Sequence, residues 1–189
     1  MKETFKSSLY LLLRLLMISL LSFMSIPLWG KSVEILGPIL AVFYFIILMY
    51  FFVFTMWSVG RKDVIKVNSG NMKINKLKGF IAGGFVLIPT VIFYFLPEFF
   101  PKETTNAVVR LILNMLKLFF TMSCTFAMDF ASPRNAATSG TPLSSGEYMG
   151  QTIIFFGIMI ACVIGAGIGY IIGYKNIKII QPWLDKWKQ

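Results

Sequence analysis

Residues 106–120 read NAVVRLILNMLKLFF. The stretch is apolar enough to enter a bilayer, yet Arg110, Asn114 and Lys117 interrupt it. Whether it crosses a membrane or lies against one fixes the number of spans in the chain. Its polar residues are periodic. Asn106, Arg110, Asn114, Lys117 and Thr121 recur at steps of three and four, which lines one face of an α-helix. The opposite face carries Val108, Val109, Ile112, Met115, Leu116 and Phe119. A helix with one polar stripe and one apolar face suits a membrane interface. Carrying Arg110 and Lys117 through the bilayer centre would cost about 2.5–3.5 kcal/mol each, less with snorkelling. The expectation over 106–128 is therefore an interfacial or re-entrant helix on the outer side. The alternative is a fifth span with its polar face buried in the bundle.

The rest of the chain is more apolar still. Of 189 residues, 57% are hydrophobic and only 14% charged, against about a quarter charged in a soluble domain. Mean hydropathy is +0.74. Four long apolar runs, at about 9–30, 35–59, 79–97 and 151–174, each have the length of a transmembrane helix. The fold expected is an all-α integral membrane bundle, one domain over 1–189, with four transmembrane helices plus the amphipathic segment. The first run is longer than a signal-peptide core and closes on no small-x-small cleavage site, so it reads as an uncleaved span. Arg14, inside that run, reads as snorkelling to nearby headgroups. Trp29 and Trp57 flank the second run as interface aromatics. Gly83, Gly84 and Pro89 interrupt the third, with Pro89 as its hinge.

Charge sets the sidedness. Segment 60–78 holds Arg61, Lys62, Lys66, Lys73, Lys76 and Lys78 against Asp63 alone. Short connections rich in lysine and arginine stay in the cytoplasm. Lys2 and Lys6 at the start, and the basic tail with Trp183 and Trp187, ask for the same side. Both termini inside demand an even number of crossings, and the four runs supply it. Segment 129–150 is then an outer polar loop.

Composition also excludes chemistry. There is no histidine, which removes Ser-His nucleophiles, HExxH metal sites and His-ligated haem. Cys124 and Cys162 both lie in apolar segments and form no clustered metal or disulfide pattern. The net charge of +10 resides in topogenic lysines rather than on a soluble basic surface, so no nucleic-acid partner is expected. Glu98, Asp129, Asp63, Ser144 and Ser145 are the reactive groups available, and they form no recognised constellation. No catalytic residue, cofactor or metal is assigned. Two features remain. The stripe Asn106, Arg110, Asn114, Lys117 and Thr121 is a candidate ligand or lipid contact. In the last run Gly157, Ala161, Gly165, Gly169 and Gly173 fall every fourth residue. They make a smooth ridge for close helix packing, either internally or against a homo-oligomer or another membrane subunit.

Three stretches, GRKDVIKVNSGNMKINKLKG, RLILN and GYIIGYKNIKI, resemble an uncharacterised group of small multi-pass proteins from low-GC Gram-positive bacteria. In that group a Gly-x-x-Asp start and a Lys-Gly end bound the basic connector. The resemblance implies a bacterial cytoplasmic membrane and no activity. The functional expectation is a non-catalytic membrane component or accessory subunit acting through helix contacts. The alternative is a small oligomeric transporter or channel using the Arg110/Lys117 face to attract anions.

Overall fold

The computed structural model describes residues 2–24, 33–70, 75–100, 106–131 and 144–175. It is helical, with no strand among the described residues. The elements are α1 (Lys2–Met24), α2 (Val33–Asn68), α3 (Lys78–Phe95) with a short 3-10 turn (Leu96–Phe99), α4 (Ala107–Ala131) and α5 (Ser145–Tyr174). Four helices, α1, α2, α3 and α5, are long and apolar enough to cross a membrane. The expected bundle of four such helices with additional helical structure is present. Trp29, the centre of segment 129–150 and the tail with Trp183 and Trp187 lie outside the described residues.

One boundary moves far. The connector expected over 60–78 is helical as far as Asn68, because nothing before Asn68-Ser69-Gly70 breaks the helix. Gly70 then takes φ +74°, the left-handed conformation that closes helix ends. Gly60 is tolerated mid-helix because α5 lies against it: an added Cβ would sit 2.8 Å from the Tyr174 backbone nitrogen. At the other boundary, residues 129–131 belong to α4, and 145–150 to α5.

Contacts between helices fix their directions. Met49, Val53 and Trp57 of α2 lie against Gly165, Gly169 and Gly173 of α5 in ascending order, so these two helices are parallel. Gly79 and Gly83 of α3 lie against Ala166 and Val163 in descending order, so α3 runs the opposite way. Glu3 of α1 meets Lys66 of α2 at 3.3 Å. The start of α1, the end of α2, the start of α3 and the end of α5 therefore share one end of the bundle, the lysine end. The hydroxyls of Tyr94 and Thr152 pair at 3.0 Å near the other, the tyrosine end.

Helix α4 is bracketed by the end of α3 and the start of α5, both at the tyrosine end. It packs against all four long helices. Cys124 and Met128 join the same buried core as Leu11, Leu15, Phe155 and Met159. Along its polar stripe, Asn106 and Asn114 are exposed. Val108, Leu111, Ile112, Met115 and Phe119 are exposed, while Thr121 and Ser123 are buried and Arg110 and Lys117 half-buried. Much of the apolar side of the helix is turned outward, away from the bundle.

Because lipid chains are as apolar as leucine, burial alone does not hold such helices together; close van der Waals packing does. Rings supply part of it. Tyr94 stacks on Phe155 at 4.3 Å between centroids, and Phe93 on Phe120 at 4.3 Å. Pro89 is accommodated within a continuous α3. Its ring removes the N–H that would serve the Phe85 carbonyl. The next residue, Thr90, donates its hydroxyl to the Val86 carbonyl at 2.8 Å.

Candidate functional site

Among the described residues, two polar clusters sit in this apolar bundle, one near each end. At the lysine end α2, α3 and α5 bring together Asp63, Lys78 and Tyr170. Lys78 Nζ donates to Asp63 Oδ2 at 2.7 Å, and the Tyr170 hydroxyl donates to the same oxygen at 3.0 Å. The two charged side chains are 2% and 3% exposed. Glycines make the approach feasible: a Cβ on Gly79 would lie 2.6 Å from Tyr170 Cβ. Sequence reasoning placed Asp63 and Lys78 in a solvated connector and missed this cluster. The available signal was the pairing of each charge with a nearby glycine, Gly60 before Asp63 and Gly79 after Lys78.

The tyrosine end carries the second cluster. Lys117 Nζ lies 4.7 Å from the Tyr94 ring centre and 6.0 Å from that of Tyr148. Its carboxylate neighbour, Glu98 of the 3-10 turn, is at 3.5 Å and half exposed. Tyr94 is tied to Thr152 by its hydroxyl, and Thr152 in turn donates to the Tyr148 carbonyl at 2.8 Å. The Tyr148 hydroxyl is buried and has no hydrogen-bond partner. Arg110, two turns before Lys117 on the same face, holds a buried Nη2 with no acceptor.

The five stripe residues thus divide by role. Asn106 caps α4, its side-chain oxygen accepting from the Val108 N–H at 3.1 Å. Thr121 turns its hydroxyl to the Lys117 carbonyl at 2.8 Å. Asn114 is exposed. Of the two charges, Lys117 reaches the rings of Tyr94 and Tyr148, and Arg110 is half-buried.

The glycine ladder also divides. An added Cβ at Gly169 would strike the Val53 carbonyl, and one at Gly173 the Trp57 carbonyl. At Gly165 it would meet the flexible end of Met49 at 2.8 Å. These three residues form an internal seam with α2. Gly157 has open space beside it, as do Gly146 and Gly150. Ala161 is half-buried between the two groups.

The reactive groups have structural roles where they are described. Ser144 and Glu147 form a reciprocal cap at the start of α5, the Ser144 N–H donating to Glu147 Oε2 at 2.8 Å. The side chains of Asp129 and Ser145 lie outside the described residues. Cys124 and Cys162 are free and buried. Among the described residues no three metal-ligating side chains cluster. Arg14 is exposed on α1, its guanidinium 5.2 Å over the Phe51 ring. No family model, curated protein or solved structure matches the chain.

Proposed function

We propose that this protein is a non-catalytic component of a bacterial cytoplasmic membrane, with both ends of the chain inside, that acts by docking its helices against a second chain. The two-sided character of α5 carries this reading. Its inner ridge of Gly165, Gly169 and Gly173 is consumed by α2. On its outer side Gly150 and Gly157 have nothing within 4 Å and alternate with the exposed Ile153, Ile160 and Ile164. Steps of three and four put these residues on one outward face, with glycine hollows between isoleucine knobs. A second copy or a different subunit fits there equally, and the contact would be made by packing alone.

Purification in mild detergent tests the reading. Wild type should leave the membrane with a second chain attached. Gly150→Leu combined with Gly157→Leu should release that chain without unfolding the bundle. A wild-type protein that is strictly monomeric and unaccompanied under these conditions removes the basis of the proposal.

A further inference from the structure

Three buried polar side-chain atoms among the described residues have no hydrogen-bond partner: Ser19 Oγ, Arg110 Nη2 and Tyr148 Oη. They are not equivalent. Ser19 borders an apolar cavity of about 60 Å³ with Phe23, Met115, Leu118 and Phe119. A helical serine can turn its hydroxyl to a carbonyl in its own preceding turn, so it has a local remedy. Arginine has none. A guanidinium nitrogen removed from solvent without an acceptor forfeits its hydration with no return, a larger penalty than for a neutral donor.

Arg110 shares its helix face with Lys117, about 10 Å along the axis. Both side chains are long enough to reach toward a group between them. Tyr148 lies beside Lys117, with its hydroxyl unspent. The charge balance is unfilled as well. Among the described residues the carboxylate paired with these cations is Glu98, at 3.5 Å from Lys117 and half exposed, so it remains largely with solvent. All three available groups donate. A ligand that satisfies them must present several acceptor oxygens and negative charge at a point between Arg110 and Lys117 that both long side chains can reach. A tetrahedral phosphate does this, and the arginine fork matches it geometrically.

We propose that Arg110 and Lys117 of α4, with the Tyr148 hydroxyl as third donor, form a binding site for a phosphate group at the tyrosine end of the bundle. The phosphate belongs either to an anionic lipid headgroup or to a free phosphate. The exposed apolar face of α4, with Leu111, Met115 and Phe119, places a lipid within reach of the same helix. The site stands independently of any partner docked on α5.

The test uses the full chain in neutral detergent, with thermal unfolding read out while phosphatidylglycerol, phosphatidylcholine or inorganic phosphate is added. Wild type should be stabilised by phosphatidylglycerol and not by phosphatidylcholine. Stabilisation by inorganic phosphate too identifies a site open to the free ion; stabilisation by phosphatidylglycerol alone identifies a headgroup site. Arg110→Gln and Lys117→Gln should each weaken the effect about tenfold or more, the loss expected for a charged hydrogen bond. Tyr148→Phe keeps the ring and should weaken it less, which gives a readout if either charge variant fails to fold. Lys62→Gln, at the opposite end, should change nothing. The proposal is overturned if neither probe stabilises wild type, if the site variants respond as wild type does, or if Lys62→Gln matches Arg110→Gln.

Discussion

Lys78 opens α3 and Asp63 lies inside α2, fifteen residues earlier, yet their charges meet at 2.7 Å with almost no solvent access. A pair this deep repays its desolvation only when the remaining lone pairs are satisfied. The Tyr170 hydroxyl does part of that, and it brings α5 into the same joint. Breaking the pair from one side strands the other charge. Asp63→Asn or Lys78→Met should each destabilise the bundle by about 3–5 kcal/mol. Asp63→Leu with Lys78→Met together should recover a large part of that. Unfolding in detergent, followed by circular dichroism, measures both. A loss in the double variant equal to the sum of the single losses would show that the two charges act separately.

Tyr170→Phe isolates the hydroxyl from the ring. The ring is wholly buried and would stay packed. The loss should be about 1.5–3 kcal/mol, the range for a hydrogen bond to a charged group. It should vanish in the Asp63→Leu, Lys78→Met background, where no carboxylate remains to accept. A loss that persists there would assign the effect to packing.

Much of this fold was legible because hydropathy and length suffice to find membrane helices. The runs at 35–59, 79–97 and 151–174 all fall within observed elements. What the sequence hid was the extension of α2 through Arg61–Asn68, since a charged stretch after an apolar run looks like a loop whether or not it stays helical. That extension turns Asp63 from a flanking charge into a buried partner of Lys78. For α4 the periodicity was readable but the direction was not. An amphipathic pattern gives two faces, and only contact with the other helices shows that Lys117 turns inward. The glycine ladder was likewise visible as a ridge, while its division at Ala161 into an internal and an outward part depends on where α2 lies.

The division of the ladder is itself testable. Gly169→Leu must push the α2 backbone at Val53 away, and no rotamer avoids a carbonyl. It should abolish the folded bundle or cost several kcal/mol, as overpacking in a rigid interior does. Gly157→Leu adds a side chain into open space and removes a helix-weakening glycine, for a change within about 1 kcal/mol of zero. Stability in detergent of the two variants should therefore diverge sharply; similar losses would mean that Gly157 is packed too.

The start of α5 offers a smaller, local effect. Ser144 accepts from the Glu147 N–H while Glu147 returns a bond to the Ser144 N–H. Ser144→Ala should cost about 0.5–2 kcal/mol through lost capping. Loss without any accompanying change in a catalytic property is the signature of a cap; a larger effect on some turnover than on unfolding would give Ser144 a chemical role.

Sidedness gives the last prediction, and the buried Cys124 and Cys162 make it practical by leaving little background for thiol reagents. Contacts place the end of α2 and the end of α5 together at the lysine end, and the 3-10 turn with the start of α5 at the other. Lys62→Cys and Lys175→Cys should therefore react with an impermeant maleimide from one side of the membrane. Glu98→Cys and Gly146→Cys should react from the other. With the lysine-rich segments held in the cytoplasm, intact cells should label the second pair and spare the first. If Lys175→Cys labelled together with Glu98→Cys, α5 would have to run against α2. Its seam of Gly165, Gly169 and Gly173 on Met49, Val53 and Trp57 would then be impossible, and α4 would have to be a full crossing.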